Sequence, residues 1–165
     1  MIRKAKLDDS EEIAKVQVAT WRTTYQGIIP DDYLDSMVWE DRVSIWKRLI
    51  SSQLVYVAEN QYNHIIGFCN VGQGSKEEYP DFEGELYAFY ILKEYQRNGI
   101  GKELFIRAIE DLKDIGICSL IVKVLEENQS KYFYESLGAE KIDTLEVIFS
   151  EKKLLELVYG WANKK

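Results

Sequence analysis

Apolar and polar residues alternate from Ile2 to Lys6, which predicts a short, half-buried strand. The polar run Asp8-Asp9-Ser10-Glu11 then reads as a helix start, and Ile13, Val16, Gln17, Thr20 and Trp21 continue it as an amphipathic stripe. Gly27 and Pro30 break that stripe. A second helical region is predicted from about Asp31 to Leu49, on the apolar positions Leu34, Met37, Val38, Val43, Trp46 and Leu49. Leu54 to Glu59 and Ile65 to Val71 are rich in β-branched and aromatic residues, flank the polar turn Asn60 to Asn63, and read as a hairpin. A polar loop, Gly72 to Pro80, leads to a third apolar strand, Leu86 to Leu92. Gly99 to Ile115 carries an apolar stripe at Ile100, Leu104, Ala108, Leu112 and Ile115 and is ended by Gly116. Leu120 to Leu125 reads as a buried strand, and Asn128 to Leu137 as a short helix stopped by Gly138. Lys141 to Phe149 and Leu154 to Trp161 read as two closing strands.

Helices follow strands in the second half of this order, so one parallel pair is expected there, while the hairpins at both ends are antiparallel. The sum is an α/β (α+β) domain with a mixed sheet and helices on both faces. No repeat, low-complexity tract or linker interrupts the chain, so residues 1–165 read as one domain.

Composition narrows the class. Hydrophobic residues make up 46% and charged residues 30% of 165, which belongs to globular chains. No apolar run approaches the roughly 18 residues of a membrane span. Met1 to Lys6 lacks the apolar core and cleavage site of a signal peptide, so a cytoplasmic location is expected. Two isolated cysteines, Cys69 and Cys118, and the single histidine His64 suggest neither a disulfide framework nor a metal site. The 21 basic and 28 acidic residues leave a formal charge of −7, which repels phosphate backbones and argues against a nucleic-acid partner. That charge either attracts cationic ligands weakly, amines among them, or serves solubility alone.

The chemistry concentrates after the third apolar strand. Leu86 to Leu92 runs into a polar loop carrying Gly99 and Gly101, which opens directly into a helix. Free N–H groups at such a helix start, together with the helix dipole, favour an anion in front of it. The glycines allow close approach, and Arg97 and Lys102 add positive charge, as a pyrophosphate cradle requires. Taken alone, two glycines before a helix fit a tight strand-to-helix turn equally well. A P-loop needs Ser or Thr after the lysine, where Glu103 stands, and a dinucleotide fingerprint needs a third glycine, where Leu104 stands.

Gln96-Arg97-Asn98-Gly99-Ile100-Gly101 resembles the Gln/Arg-x-x-Gly-x-Gly/Ala signature of the GNAT superfamily of N-acetyltransferases. Asn128, Phe133, Tyr134, Gly138 and Ala139 resemble its Asn…Phe-Tyr…Gly-Phe/Ala segment. Trp21, Tyr25, Gly27 and Pro30 resemble a bacterial subgroup with a Trp…Tyr-x-Gly turn between its first two helices. The resemblance spans nearly the whole chain in order and spacing, and is specific for the superfamily but not for a substrate.

The resemblance implies a GNAT-like, mostly antiparallel sheet in which one parallel strand pair splays into a V-shaped gap. Acetyl-CoA, as co-substrate, would lie in that gap between Leu86 to Leu92 and Leu120 to Leu125. Backbone groups of Phe89, Tyr90 and Ile91 would pair with its pantetheine arm, the Ile91 N–H meeting the acyl carbonyl. Gln96, Arg97, Asn98, Gly99, Ile100, Gly101 and Lys102 would wrap its pyrophosphate. Asn128 reads as a helix N-cap and, in the family, as a cofactor contact. Tyr134 would be the general acid that protonates the leaving thiolate; read by itself it packs a short helix.

The base is less constrained. Glu85, with Glu83 nearby, stands at the start of the strand beside the acyl site, either as the base or as a solvated strand-end charge. Strict alternation puts Glu85, Tyr87, Phe89 and Ile91 on one face. Trp21, Tyr25 and Tyr87 would line an aromatic acceptor pocket or belong to the core. The expected reaction is direct attack of a primary amine on the thioester in a ternary complex, with no cysteine nucleophile. The acceptor would be polyamine-like, or a lysine or N-terminal amine of a peptide. The alternatives are a non-catalytic acyl-CoA-binding domain of the same fold and a nucleotide-binding protein. The residues do not choose between monomer and homodimer.

Overall fold

Strand β1 (Ile2–Lys4) enters helix α1 (Ser10–Tyr25) through a single 3-10 turn, which Asp9 fixes by accepting the Lys6 N–H at 2.7 Å and the Arg3 guanidinium at 2.8 Å. The computed structural model describes residues 1–162. The helical region expected from Asp31 to Leu49 is two helices, α2 (Asp31–Ser36) and α3 (Val43–Ser52), separated by extended backbone at Met37 and Val38 and a 3-10 turn at Trp39–Arg42. No glycine or proline marks the break. Its cause is tertiary: Met37 is buried, and Arg22 of α1 donates to the Met37 carbonyl at 2.9 Å and reaches the Leu34 carbonyl, taking oxygens that a continuous helix would use itself.

The remaining elements follow the expected order: β2 (Leu54–Glu59), β3 (Ile65–Gln73), β4 (Gly84–Ile91), α4 (Ile100–Asp114), β5 (Leu120–Leu125), α5 (Ser130–Ser136), β6 (Glu140–Phe149) and β7 (Lys152–Trp161). They form one seven-stranded sheet in the order β1-β2-β3-β4-β5-β7-β6. Only β4 and β5 run parallel; β7 folds back from β6 and inserts between it and β5. This is the mixed, mostly antiparallel sheet with one parallel pair that the resemblance implied.

Both faces of the sheet are covered. Ile13 and Val16 of α1 and Trp46 of α3 pack on Val55, Val57 and Phe68. On the opposite face Leu104, Ala108 and Leu112 of α4 and Tyr134 of α5 pack on Tyr56, Cys69, Leu86 and Val122. A third cluster joins the end of α1 and the turn after it, through Tyr25, Ile29 and Leu34, to Leu125 and Leu154 at the ends of β5 and β7.

Two irregularities in β4 create the opening. Its pairing with β5 covers only Gly84↔Leu120, Glu85↔Ile121 and Leu86↔Val122, although both strands continue beyond. Against β3, Leu86 faces Val71 but Ala88 faces Asn70, so Tyr87 is an extra, bulged residue. A bulge bends its strand and increases its twist, and β4 leaves β5 at this point.

Candidate active site

The bulge overturns the expectation that Glu85, Tyr87, Phe89 and Ile91 share one face. Leu86 and Phe89 both pack on the α4 side, whereas Ala88 and Tyr90 pack on the α1 side. Glu85, one residue before Leu86, therefore faces the α1 side, away from Phe89 and Ile91. Sequence periodicity cannot register one inserted residue, because only the partner strand reveals it.

Beyond the bulge the edge of β4 is open. The Leu92 N–H bonds the Ile66 carbonyl of β3 at 2.8 Å. Antiparallel pairing alternates inward and outward groups, so Phe89 and Ile91 turn their N–H and C=O groups away from β3 into the gap that β5 has left. The Ile91 carbonyl accepts from Gln96 Nε2 at 2.9 Å, which ties the following loop to the end of the strand.

That loop is shaped for an anion. Arg97 (φ 66°) and Gly99 (φ 81°) both adopt left-handed backbone and turn successive amides toward one side. Helix α4 begins at Ile100 with no side-chain cap, so its first-turn amides are open. Gly101 is needed for closeness: a Cβ there would stand 3.3 Å from Ile91 Cδ1 and 3.4 Å from Phe133 Cζ. Arg97 and Lys102 are exposed, and neither is in an ion pair among the described residues.

A cavity of about 550 Å³ joins these parts. It is lined by Phe89, Tyr90 and Ile91, by Gln96, Arg97, Gly99, Gly101 and Lys102 of the loop, and by Asn128 before α5. Asn98 and Ile100 belong to the same loop but not to the lining. Thr23, Thr24 and Ile28, from the end of α1 and the turn after it, close the far wall, a place not expected for any of the three. Open strand amides, open helix amides and two free cations along one groove fit a long, amide-bearing, pyrophosphate-containing molecule such as acetyl-CoA.

Asn128 is 5% exposed. Its Oδ1 accepts the Ser130 N–H at 2.9 Å, so it caps α5 from two residues ahead of the helix. Its Nδ2 donates to Tyr25 Oη at 3.4 Å. Tyr134 is 4% exposed and lies against Phe89 and Trp161, and its hydroxyl makes no hydrogen bond with the described residues. Burial pushes its phenol well above the ordinary tyrosine range, so it is held protonated. Phe133 packs against the α4-side core and also forms cavity wall, with its ring 5.4 Å from that of Phe89. Tyr132 faces outward beneath Lys131.

On the α1 side Glu85 is half-buried, and desolvation raises its carboxyl above the ordinary range while Lys123 of β5 opposes the rise. Glu156 of β7 is raised for the same reason and opposed by the same lysine. The loop between β3 and β4 reaches across this face: Glu78 pairs with Lys123 at 3.3 Å, and Tyr79 donates to Asp143 of β6 at 2.8 Å. Glu156, Glu78 and Lys123 carried no local sequence signal, because their nearness to Glu85 depends on the insertion of β7. Glu83 is turned away and accepts from the Cys118 N–H. Trp21 and Tyr25 come together, rings 4.8 Å apart, and join Tyr90 and Phe149 in one cluster. Tyr87 stands apart at the bulge, exposed, donating to the Gln73 carbonyl. Cys69 is fully buried and its thiol is pushed above the ordinary range, which leaves no thiolate for nucleophilic attack.

Residues 51–138 match the family model described as the acetyltransferase (GNAT) domain. The chain is 38% identical over 160 residues to YuaI, an uncharacterized N-acetyltransferase of Bacillus subtilis, covering 97% of this chain and 91% of that one. It is 25% identical over 160 residues to a spermidine N(1)-acetyltransferase of Thermoplasma acidophilum, covering 92% and 96%. The fold superposes on the crystal structure of PaiA N-acetyltransferase from the same organism in complex with coenzyme A, with TM-score 0.80, 23% identity and 98% of each chain covered. Splayed strands, a glycine loop opening a helix and the matched sequence agree: the chain belongs to the GNAT family and is an acetyl-CoA-dependent N-acetyltransferase.

Proposed function

We propose that this enzyme transfers the acetyl group to a primary amine bound on the α1 side of the gap, by direct attack in a ternary complex. The observation that carries the reading is the opening of β4 at the Tyr87 bulge, which exposes strand amides to one ligand from both faces of the sheet. Acetyl-CoA supplies the thioester. The amides opening α4, with Arg97 and Lys102, would hold its pyrophosphate, and the outward amides of Phe89 and Ile91 its pantetheine arm and acyl carbonyl. An N–H aimed at that oxygen favours the charge that develops there during attack.

Glu85 accepts the proton of the incoming ammonium. Its raised affinity for a proton suits a base that must take one from an amine near neutral pH. Tyr134, on the opposite face of the sheet, gives a proton to the sulfur as the carbon–sulfur bond breaks, and the second proton lost by the nitrogen as the adduct collapses to the amide restores the phenol. The two groups thus serve the two ends of the transfer from opposite sides of one sheet. Glu156 and Glu78 beside Glu85 favour a cationic acceptor, as the spermidine relative's name fits; a lysine or N-terminal amine has the same charge.

Acetyl-CoA consumption against a panel of primary amines tests this, with thermal protection by acetyl-CoA as the control for binding. Turnover of cationic primary amines is expected. Protection without turnover of any amine would leave a binding domain only, and turnover confined to neutral or anionic acceptors would refute the charge preference.

A further inference from the structure

Beyond the pair Leu86↔Val122 the two parallel strands part, and their own ladder no longer fixes the distance between them. That distance matters, because the proposed chemistry stands on both walls of the gap. The amides proposed for the thioester belong to β4, through Phe89 and Ile91. The proposed acid, Tyr134, belongs to α5, which follows β5. Its hydroxyl makes no hydrogen bond with the described residues, so its place is set by the helix that carries it and by apolar packing.

A chain of two hydroxyls and one amide crosses the gap. Tyr90 Oη, on β4, lies 2.9 Å from Tyr25 Oη, and either can donate. Asn128 Nδ2, in the turn between β5 and α5, donates to the same Tyr25 oxygen at 3.4 Å. Among the described residues no hydrogen bond joins residues 87–102 directly to residues 123–138, so Tyr25 is the link between the two walls. Tyr25 does not line the cavity, whereas Tyr90 and Asn128 both do. Asn128 passes the constraint on. Its backbone N–H bonds the Leu125 carbonyl at the end of β5 at 2.9 Å, and its Oδ1 accepts the N–H of Ser130, the first residue of α5. The far end of α5 is tied only to β7, where Trp161 Nε1 donates to the Leu137 carbonyl at 3.1 Å and Tyr159 donates to Glu135 at 3.2 Å.

We infer that Tyr25 is a strut across the splayed strands. Its hydroxyl holds β4 and the β5–α5 turn at a fixed spacing, and so sets the Tyr134 hydroxyl against the sulfur of a thioester held on β4. It is a positioning residue, and the inference rests on Tyr134 being the acid. A proton donor works only within hydrogen-bond reach of the atom it protonates, and a shift of about 1 Å costs up to about a hundredfold in rate. Tyr25→Phe keeps the ring in its cluster with Trp21 and Tyr90 and removes the one oxygen that meets both walls. The buried Asn128 amide then lacks its acceptor, which favours rearrangement of the turn it organises.

The parent enzyme is compared with Tyr25→Phe, Tyr134→Phe and the double variant, using acetyl-CoA and whichever of spermidine, butylamine and alaninamide the parent acetylates fastest. Single-turnover rates of acetyl transfer at saturating substrates are read together with both KM values. Tyr25→Phe is expected to slow transfer by about tenfold while each KM changes by less than about twofold. In the Tyr134→Phe background the same change is expected to cost less than about twofold, since no acid remains to be placed. Tyr90→Phe removes the β4 end of the strut, and together with Tyr25→Phe it is expected to slow transfer no more than Tyr25→Phe alone. Thermal protection by acetyl-CoA verifies folding, and Tyr90→Phe takes the place of Tyr25→Phe in the cycle if the latter is not protected.

An unchanged rate in Tyr25→Phe, a loss confined to either KM, or a loss that persists in full in the Tyr134→Phe background overturns the strut while amine acetylation stands. Tyr134→Phe at the parental rate overturns the acid, and the strut with it. Acetylation of no amine overturns the transferase reading itself.

Discussion

Tyr134 and Glu85 owe their properties to burial rather than to residue type. A phenol with no hydrogen bond, packed among Phe89, Phe133 and Trp161, loses the solvation its anion would need, so it remains an acid at neutral pH. Replacement of Tyr134 by Phe keeps the packing and removes only the proton. Turnover is expected to fall by about a hundredfold or more while thermal protection by acetyl-CoA persists, which stopped-assay kinetics and melting curves together check. For Glu85 the sign runs the other way. A base works only when ionised, and desolvation has raised its affinity for protons, so activity falls as pH drops through that raised pKa. The Lys123 ammonium opposes the rise. Lys123→Met therefore moves the acid limb of the kcat/KM profile to higher pH, and a limb that stays in place assigns the base elsewhere.

At the scale of elements, one bulge and one loop decide where ligands go. Tyr87 turns β4 so that its amides open toward the cavity proposed for the cofactor, and leaves Glu85 on the side proposed for the acceptor. The loop holds its amides in line through left-handed backbone at Arg97 and Gly99. A methyl on Gly99 would meet nothing within 4 Å, so Gly99→Ala carries a backbone cost alone, of about 1–2 kcal/mol. A lowered melting temperature together with a raised acetyl-CoA KM is expected, and a variant that melts like the parent contradicts the left-handed geometry. The break between α2 and α3 depends in the same way on Arg22, whose removal leaves the Met37 carbonyl without its donor. Arg22→Met is expected to cost about 1 kcal/mol by denaturant titration.

The whole molecule places opposite charges on the two surfaces proposed for its ligands. The chain is acidic overall, yet Arg97 and Lys102 stand at the mouth of the anion loop, while carboxylates gather across the sheet around Lys123. Added salt screens both attractions over about 10 Å at 0.1 M. The KM values for acetyl-CoA and for a cationic amine should therefore both rise with ionic strength, whereas kcat, set inside the gap, changes little. Steady-state kinetics from low to moderate salt measure the difference, and salt-independent KM values would remove the electrostatic account.

The sequence determined what depends on neighbours along the chain. Periodicity placed the strands and most helices to within a few residues, because each buries a stripe that its own residues define. The glycine loop was legible as a candidate anion site because glycines at a helix start advertise open backbone amides. Asn128 was legible as a helix cap, but the roles proposed for Asn128 and Tyr134 at the site came only through resemblance, since a short aromatic helix is otherwise ordinary core. Tertiary structure decided the rest. The bulge at Tyr87 exists only as a mismatch with β3, so alternation along β4 alone put Glu85 on the wrong face. The split between α2 and α3 needed Arg22 from another helix. Glu156, Glu78 and Lys123 met Glu85 only because β7 inserts beside β5 and a loop folds over both. Burial of Tyr134 is likewise a property of the packed sheet, since desolvation arises from groups distant in sequence and close in space.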